Sequence, residues 1–206
     1  MDHTLEKIAN LYSDNLSEHG DDSKAVGWPT VDSQELRFEK LTQVIPDIDG
    51  TFSVNDYGCG YGAHLKYLLG KQYSVAVYNG YDISQEMLDK SKECLKDFNG
   101  DLKLINSSNI TTPADFSFVS GTFNVRFETT YDDWKNFIEE TLTMINESSK
   151  LGFSFNLLTK YVDWEEPHLF YGDPCYWFDY CKLNFSKQVS LLHDYPLYEW
   201  TILVRK

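Results

Sequence analysis

The sequence predicts an α/β fold: a three-layer sandwich built on a seven-stranded, mostly parallel sheet whose last strand runs antiparallel, with an N-terminal helical cap. Three observations carry this reading. From Phe52 onward, short apolar runs alternate with segments of helical periodicity, the signature of parallel strands joined by crossover helices. A glycine cluster, Gly58, Gly60 and Gly62, stands between the first apolar run and the first helical pattern. At the C-terminus two strand-like runs are joined by a connection too short for a crossover helix, so they pair antiparallel.

The N-terminal 50 residues are read as the cap and residues 51–206 as the α/β domain. Leu5, Ile8, Ala9, Tyr12 and Leu16 share a helical face, and a second helix is expected from about Ser33 to Ile45, with Asp32 and Glu35 spaced as a capping pair. The intervening loop, His19 to Thr30, lacks periodicity and holds Trp28 followed by Pro29, read either as a lid or as a packing plug. The first strand ends near Tyr57, and a helix runs from about Gly62 to Gly70. A second strand, Ser74 to Tyr81, leads into Asp82. Ser84 caps a helix whose face is Met87, Leu88, Ser91, Leu95 and Phe98. Leu102–Ile105 is the third strand, Asp115–Gly121 the fourth, and Trp134, Phe137, Ile138, Leu142 and Ile145 mark the helix that follows. Gly152–Leu158 is the fifth strand. An insertion at about 159–174 then precedes a helical pattern around Trp177–Leu183, and Gln188–His193 and Leu197–Val204 form the closing pair.

Composition narrows the function. A chain of 206 residues with 42% hydrophobic and 16% aromatic residues has material for one full core. The net charge of −14, with no Lys/Arg stripe, argues against nucleic acid and against anionic membrane surfaces as partners. Cys59, Cys94, Cys175 and Cys181 show neither CxxC pairing nor metal spacing with the five histidines, so they are read as reduced thiols and no metal is expected. The start has no apolar core of a signal peptide, and no apolar stretch of about 20 residues occurs, so a cytoplasmic protein is expected. The oligomeric state is left open.

The glycine cluster points to a ligand. Glycine permits positive φ and a close approach to bare backbone, while the first amides of the next helix offer unpaired donors. Gly58-x-Gly60-x-x-Ala63 satisfies the dinucleotide fingerprint, with Asp82 placed as the ribose-binding acid, so an NAD-linked oxidoreductase or a non-catalytic nucleotide-binding module is the competing reading.

The longer stretch Asp56-Tyr-Gly58-Cys-Gly60-Tyr-Gly62 resembles the D-x-G-C-G-x-G first motif of class I S-adenosylmethionine-dependent methyltransferases. Tyr81-Asp82-Ile83-Ser84 is similar to their next motif, and the terminal strand pair is similar to the one that closes their seven-stranded sheet. This resemblance implies S-adenosylmethionine as cofactor, S-adenosylhomocysteine as product and a methyl transfer to oxygen or nitrogen of a small-molecule acceptor. It implies a cofactor site made of Asp56, Gly58, Cys59, Gly60 and Gly62, with Asp82 on the ribose hydroxyls and adenine beyond Ile83, near Ser107 and Asn109. Ser107 and Asn109 read equally well as turn residues.

Ligands of open α/β sheets bind outside the carboxyl ends of the strands, so Ser120 and Gly121 are expected beside the methionine portion and Asn124, Tyr161 and Tyr171 beside the acceptor. Asn156-Leu-Leu departs from the asparagine-proline-proline motif of amino-group DNA and protein-glutamine methyltransferases. Trp28 and Arg37, with Lys24, are candidates to close over the cofactor and meet its carboxylate, the competing reading of the charges being a surface salt bridge. Candidate general bases are His168, Asp173 and His193, the last equally readable as a structural histidine. The aromatic insertion reads either as a substrate wall or as a packed cover of the sheet.

Overall fold

The computed structural model describes residues 1–47 and 50–206. Helix α1 spans Asp2–His19 and is followed by a short 3-10 turn, Ser23–Val26, and by α2, Val31–Thr42. Then come β1 (Phe52–Tyr57), α3 (Ala63–Gly70), β2 (Val75–Asp82), α4 (Gln85–Cys94), β3 (Asp101–Asn106), β4 (Ala114–Val119), α5 (Tyr131–Ser148) and β5 (Ser149–Thr159). The chain closes with β6 (Tyr171–Gly172), α6 (Pro174–Asn184), β7 (Gln188–Leu192) and β8 (Glu199–Arg205).

The sheet order is β3-β2-β1-β4-β5-β8-β7, with the two-residue β6 added in parallel to the end of β5. The strands from β3 to β5 are parallel, and β8 runs antiparallel to both β5 and β7. Residues 193–198 are too few for a crossover, so β8 folds back along β7 and fills the gap between β7 and β5. The expected architecture of seven main strands is present. β6 is an addition within the insertion, where the sequence carried no strand signal.

Period-two alternation sends side chains to two separate cores. On β4, Phe116 and Phe118 join Val54, Leu65, Leu68, Leu203 and the α2 residue Leu41 on one side. On the other, Val119 joins Phe153, Phe155, Trp177, Trp200 and the α5 residues Trp134, Ile138 and Leu142. Helices on both faces make the three layers.

Residues of the N-terminal region enter both cores: Ile8 belongs to the α5 and α6 side and Leu41, Val44 and Ile45 to the opposite one. One capping expectation is corrected. Asp32 and Glu35 do not cap α2; Thr30 accepts from Ser33 N at 3.1 Å and Ser33 Oγ accepts from Thr30 N at 3.4 Å, a capping box of the same spacing two residues earlier in the chain.

Chain order reverses between β1 and β4, because the chain runs from β1 outward through β2 and β3 before returning to the other side of β1. Such a switch leaves a crevice at the carboxyl ends of the two strands, where the loops diverge.

Candidate active site

The glycine loop occupies that crevice and is held by the end of β2. Tyr81 O accepts the amides of Gly58 at 2.8 Å and Cys59 at 3.0 Å. Asp82 Oδ2 accepts from Gly60 N at 2.8 Å, and its Oδ1 accepts from Ser84 N at 2.9 Å. One carboxylate therefore ties the loop after β1 to the N-terminus of α4, whose cap is Ser84 Oγ accepting from Met87 N at 3.1 Å. Burial pushes the Asp82 carboxyl above its usual range, and the backbone amides of Ser84, Gly60 and Ile83 pull it back.

The loop needs glycine for two distinct reasons. Gly58 has φ +78° and a Cβ there would overlap Thr122 Oγ1, while Thr122 Oγ1 itself donates to Tyr57 O at 2.9 Å. Gly60 has φ +51° and a Cβ would stand 3.0 Å from Val26 Cγ1. Cys59 points inward, 7% exposed and packed beneath Gly80, and burial pushes its thiol well above the ordinary range.

Above the loop lies a cleft that encloses about 600 Å³ of empty space, its open mouth included. Gly58, Gly60, Asp82, Ile83, Ser107, Ser120 and Gly121 line it, together with Tyr57, Tyr81, Met87 and Thr122. Ile8 and Tyr12 of α1 and Val26 of the 3-10 turn supply its roof. The roof helix is fastened at both ends: Thr4 Oγ1 meets Thr129 Oγ1 at 2.7 Å and Lys7 Nζ donates to Glu128 at 2.8 Å, while Ser13 Oγ meets Ser84 Oγ and donates to Glu86, both at 3.0 Å. Tyr12 titrates at about 12 because it is buried beside Asp82, so it faces the cleft as a protonated phenol.

A second chamber of about 310 Å³ opens behind the first and shares Val26, Gly58 and Ser120 with it. Asp56, Gln34, Trp28 and His64 line it. Tyr78 Oη donates to Asp56 Oδ2 at 2.5 Å; burial is the chief reason that this carboxyl titrates at about 7, with the Asp82 charge adding to it. His64 stacks on Phe38 at 4.5 Å, and burial lowers its pKa to about 3. His64 Nδ1 and Ser120 Oγ are buried without a hydrogen-bond partner in the protein, the kind of unpaired group that a polar ligand or water satisfies.

The remaining sequence candidates lie elsewhere. Gly62, at φ +82°, packs against Ser91 of α4 and Leu95 at its C-terminal cap rather than facing the cleft. Asn109 forms a local turn, its amide donating to Ser107 Oγ at 2.9 Å. Arg37 is not a surface residue: it is buried in an ion pair with Glu199 at 2.6 Å. Lys24 is exposed on the 3-10 turn.

The three proposed bases do not converge on the cleft. His168 is exposed, and its carbonyl accepts from Arg126 N and Phe127 N. Asp173 caps α6 and pairs with Lys160 at 2.7 Å, which holds its carboxyl below the usual range. His193 is exposed and stacks on Tyr161 at 5.9 Å.

Of the acceptor candidates, Asn124 is a buried staple, its Oδ1 accepting from Leu158 N and its carbonyl from Phe170 N. Tyr161 is 59% exposed. Tyr171 accepts from Glu166 N through its hydroxyl. The cleft residues that sequence reasoning missed are Ile8, Tyr12, Val26, Tyr57, Tyr81, Met87 and Thr122. The apolar face of α1 was a visible signal for the first two, but it did not say against what it would pack.

No family model matches the chain. The chain is 46% identical over 157 residues to "Putative methyltransferase Rv1506c" of Mycobacterium tuberculosis (strain ATCC 25618 / H37Rv), an overlap of 75% of this chain and 93% of that relative. Among solved structures it resembles a DhpI–SAM–HEP complex, with a TM-score of 0.69 at 16% identity over 99% of each chain. It also resembles magnesium protoporphyrin IX methyltransferase (ChlM) from Synechocystis PCC 6803 with bound SAH, with a TM-score of 0.67 at 11% identity over 100% of this chain and 97% of that one. At such identities the two structures speak for the fold. With the glycine loop on the β2 carboxylate, the strand order and a 46% identical relative that spans three quarters of its length, the chain belongs to the class I S-adenosylmethionine-dependent methyltransferases.

Proposed function

We propose that the cleft binds S-adenosylmethionine and that the protein transfers its methyl group to an oxygen or nitrogen of a small-molecule acceptor, leaving S-adenosylhomocysteine. The observation that carries this reading is the Asp82 carboxylate, oriented by the Gly60 and Ser84 amides at the end of β2 and open to the cleft. A carboxylate so fixed grips a pair of vicinal ribose hydroxyls without having to be ordered first.

The residues present fit that cofactor. Ile83, Met87 and Ser107 give an apolar shelf with a few polar atoms for a purine, and Gly58 with Ser120 and Gly121 lets backbone approach the opposite end. The unpaired Ser120 hydroxyl lies at the junction with the second chamber, where Asp56 and Gln34 offer polar partners to an amino-acid group.

Bound S-adenosylmethionine supplies a methyl group already activated on a sulfonium. What remains for the protein is to hold donor and acceptor in line and to exclude water. Ile8 and Tyr12 roof the cleft against solvent, and Thr122 and Gly121 set its floor at the transfer end.

Parallel calorimetric titrations with S-adenosylmethionine, S-adenosylhomocysteine and NADH test the reading. Saturable binding of the first two and not of NADH is expected. Binding of NADH alone overturns it. Among the described residues no helix is long and apolar enough to cross a membrane.

A further inference from the structure

Five residues from five segments close a ring where the cleft meets the second chamber. Glu199, on β8 and 1% exposed, accepts from Arg37 Nε at 3.0 and 2.9 Å and from Arg37 Nη2 at 2.6 Å. It also accepts from Asn156 Nδ2 at 2.7 Å. Asn156 Oδ1 in turn accepts from the Gly121 amide at 2.7 Å, so both ends of that side-chain amide are committed. The Arg37 guanidinium lies 3.7 Å from the ring centre of Trp28. The edge of Trp28 covers Gly121 so closely that a Cβ there would overlap Cζ2 and Cη2 of the indole. The path from Glu199 through Arg37 and Trp28 therefore meets the path through Asn156 at one point, Gly121.

Stability is a weak account of this arrangement, because a buried ion pair is often matched or bettered by apolar residues of the same size. What apolar residues cannot do is fix orientation. Glu199 and Asn156 fall on the α2 side of β8 and β5, the side opposite Trp200, Phe155 and Leu157, so strand alternation delivers both to Arg37. Gly121 lines the cleft, and Trp28 lines the chamber behind it.

We propose that Glu199 is a positioning residue: through Arg37 it sets Trp28, through Asn156 it sets the Gly121 amide, and together these form the wall for the amino-acid portion of the cofactor. The proposal rests on the S-adenosylmethionine reading above. It separates the two ends of the ligand, since the nucleoside end depends on Asp82, outside the ring.

The test compares S-adenosylhomocysteine with adenosine by calorimetry on the wild type, Glu199→Gln, Trp28→Ala, Trp28→Phe and the paired Arg37→Met/Glu199→Leu. Glu199→Gln and Trp28→Ala should weaken S-adenosylhomocysteine at least tenfold and leave adenosine within threefold. Trp28→Phe, which keeps a stacking face, should stay within threefold for both. The paired variant leaves no buried unpaired charge and should fold, yet keep the selective loss. Equal losses for both ligands, or unchanged S-adenosylhomocysteine affinity in Trp28→Ala and the paired variant, overturn the proposal. If Glu199→Gln does not fold, those two variants carry the decision. Failure of the wild type to bind S-adenosylhomocysteine overturns the cofactor reading, and this proposal with it, and is seen before any variant is made.

Discussion

Gly60 donates its amide to Asp82 across 22 residues of chain, and the 2.8 Å bond makes the acid at the end of β2 a structural member of the loop after β1. The side chain proposed to recognise the ribose is thus also the one that shapes the loop beneath it. Substitutions at Asp82 must show both effects.

For Asp82→Ala we expect loss of two amide partners and of the hydroxyl grip. Hydrogen bonds to a charged group are worth about 1.5 to 3 kcal/mol each. S-adenosylhomocysteine affinity should fall by about a hundredfold or more, with a measurable drop in unfolding free energy by denaturant titration. Asp82→Asn keeps one acceptor and should be intermediate in both. Unchanged affinity in Asp82→Ala would remove Asp82 from the site.

Gly58→Ala carries a steric and a conformational penalty, since its Cβ would overlap Thr122 Oγ1 and φ is +78°. Left-handed backbone at a non-glycine residue costs about 1 to 3 kcal/mol. The single variant should be destabilised by more than that alone, and Gly58→Ala/Thr122→Ala should recover only the steric part. Additive effects of the two substitutions in a double-mutant cycle would show that they do not touch.

Asp56 and His64 should give stability opposite dependences on pH. Burial raises Asp56 from 3.8 to about 7, so the folded state holds that proton more tightly; its contribution is full below pH 4 and is lost as pH rises through 7. Burial lowers His64 from 6.5 to about 3, so its contribution is full above pH 6.5 and is lost as pH falls toward 3. Relative to wild type, Asp56→Asn should therefore gain stability as pH rises from 4 to 7. His64→Leu should gain as pH falls below 6.5. Denaturant titrations at pH 4, 5, 6, 7 and 8 read both, and differences that do not change with pH would refute the buried environments described.

His168→Ala and His193→Ala should leave S-adenosylhomocysteine affinity within twofold and stability within about 0.5 kcal/mol, because both side chains are exposed and outside the cleft. A tenfold loss of affinity in either would return it to the site.

Local chemistry determined much in advance. The glycine loop after an apolar run, the acid at the end of the next strand and the short link between the last two strands are each set by neighbours in sequence, through φ, strand period and chain length. From them followed the architecture, the family and the positions Gly58, Gly60, Asp82 and Ile83 on the cleft. Only the tertiary structure decided where charged and aromatic side chains found their partners. Arg37 could not be matched to Glu199 from 162 residues away, nor Tyr12 to a roof over Asp82, because a pairing between distant segments leaves no periodic trace in either. The same reason misplaced His168, Asp173 and His193: a polar residue in a loop has the same composition whether the loop turns toward the cleft or away. Sequence fixes what an element can be, and packing of the sheet and its two layers fixes which of its faces meets the ligand.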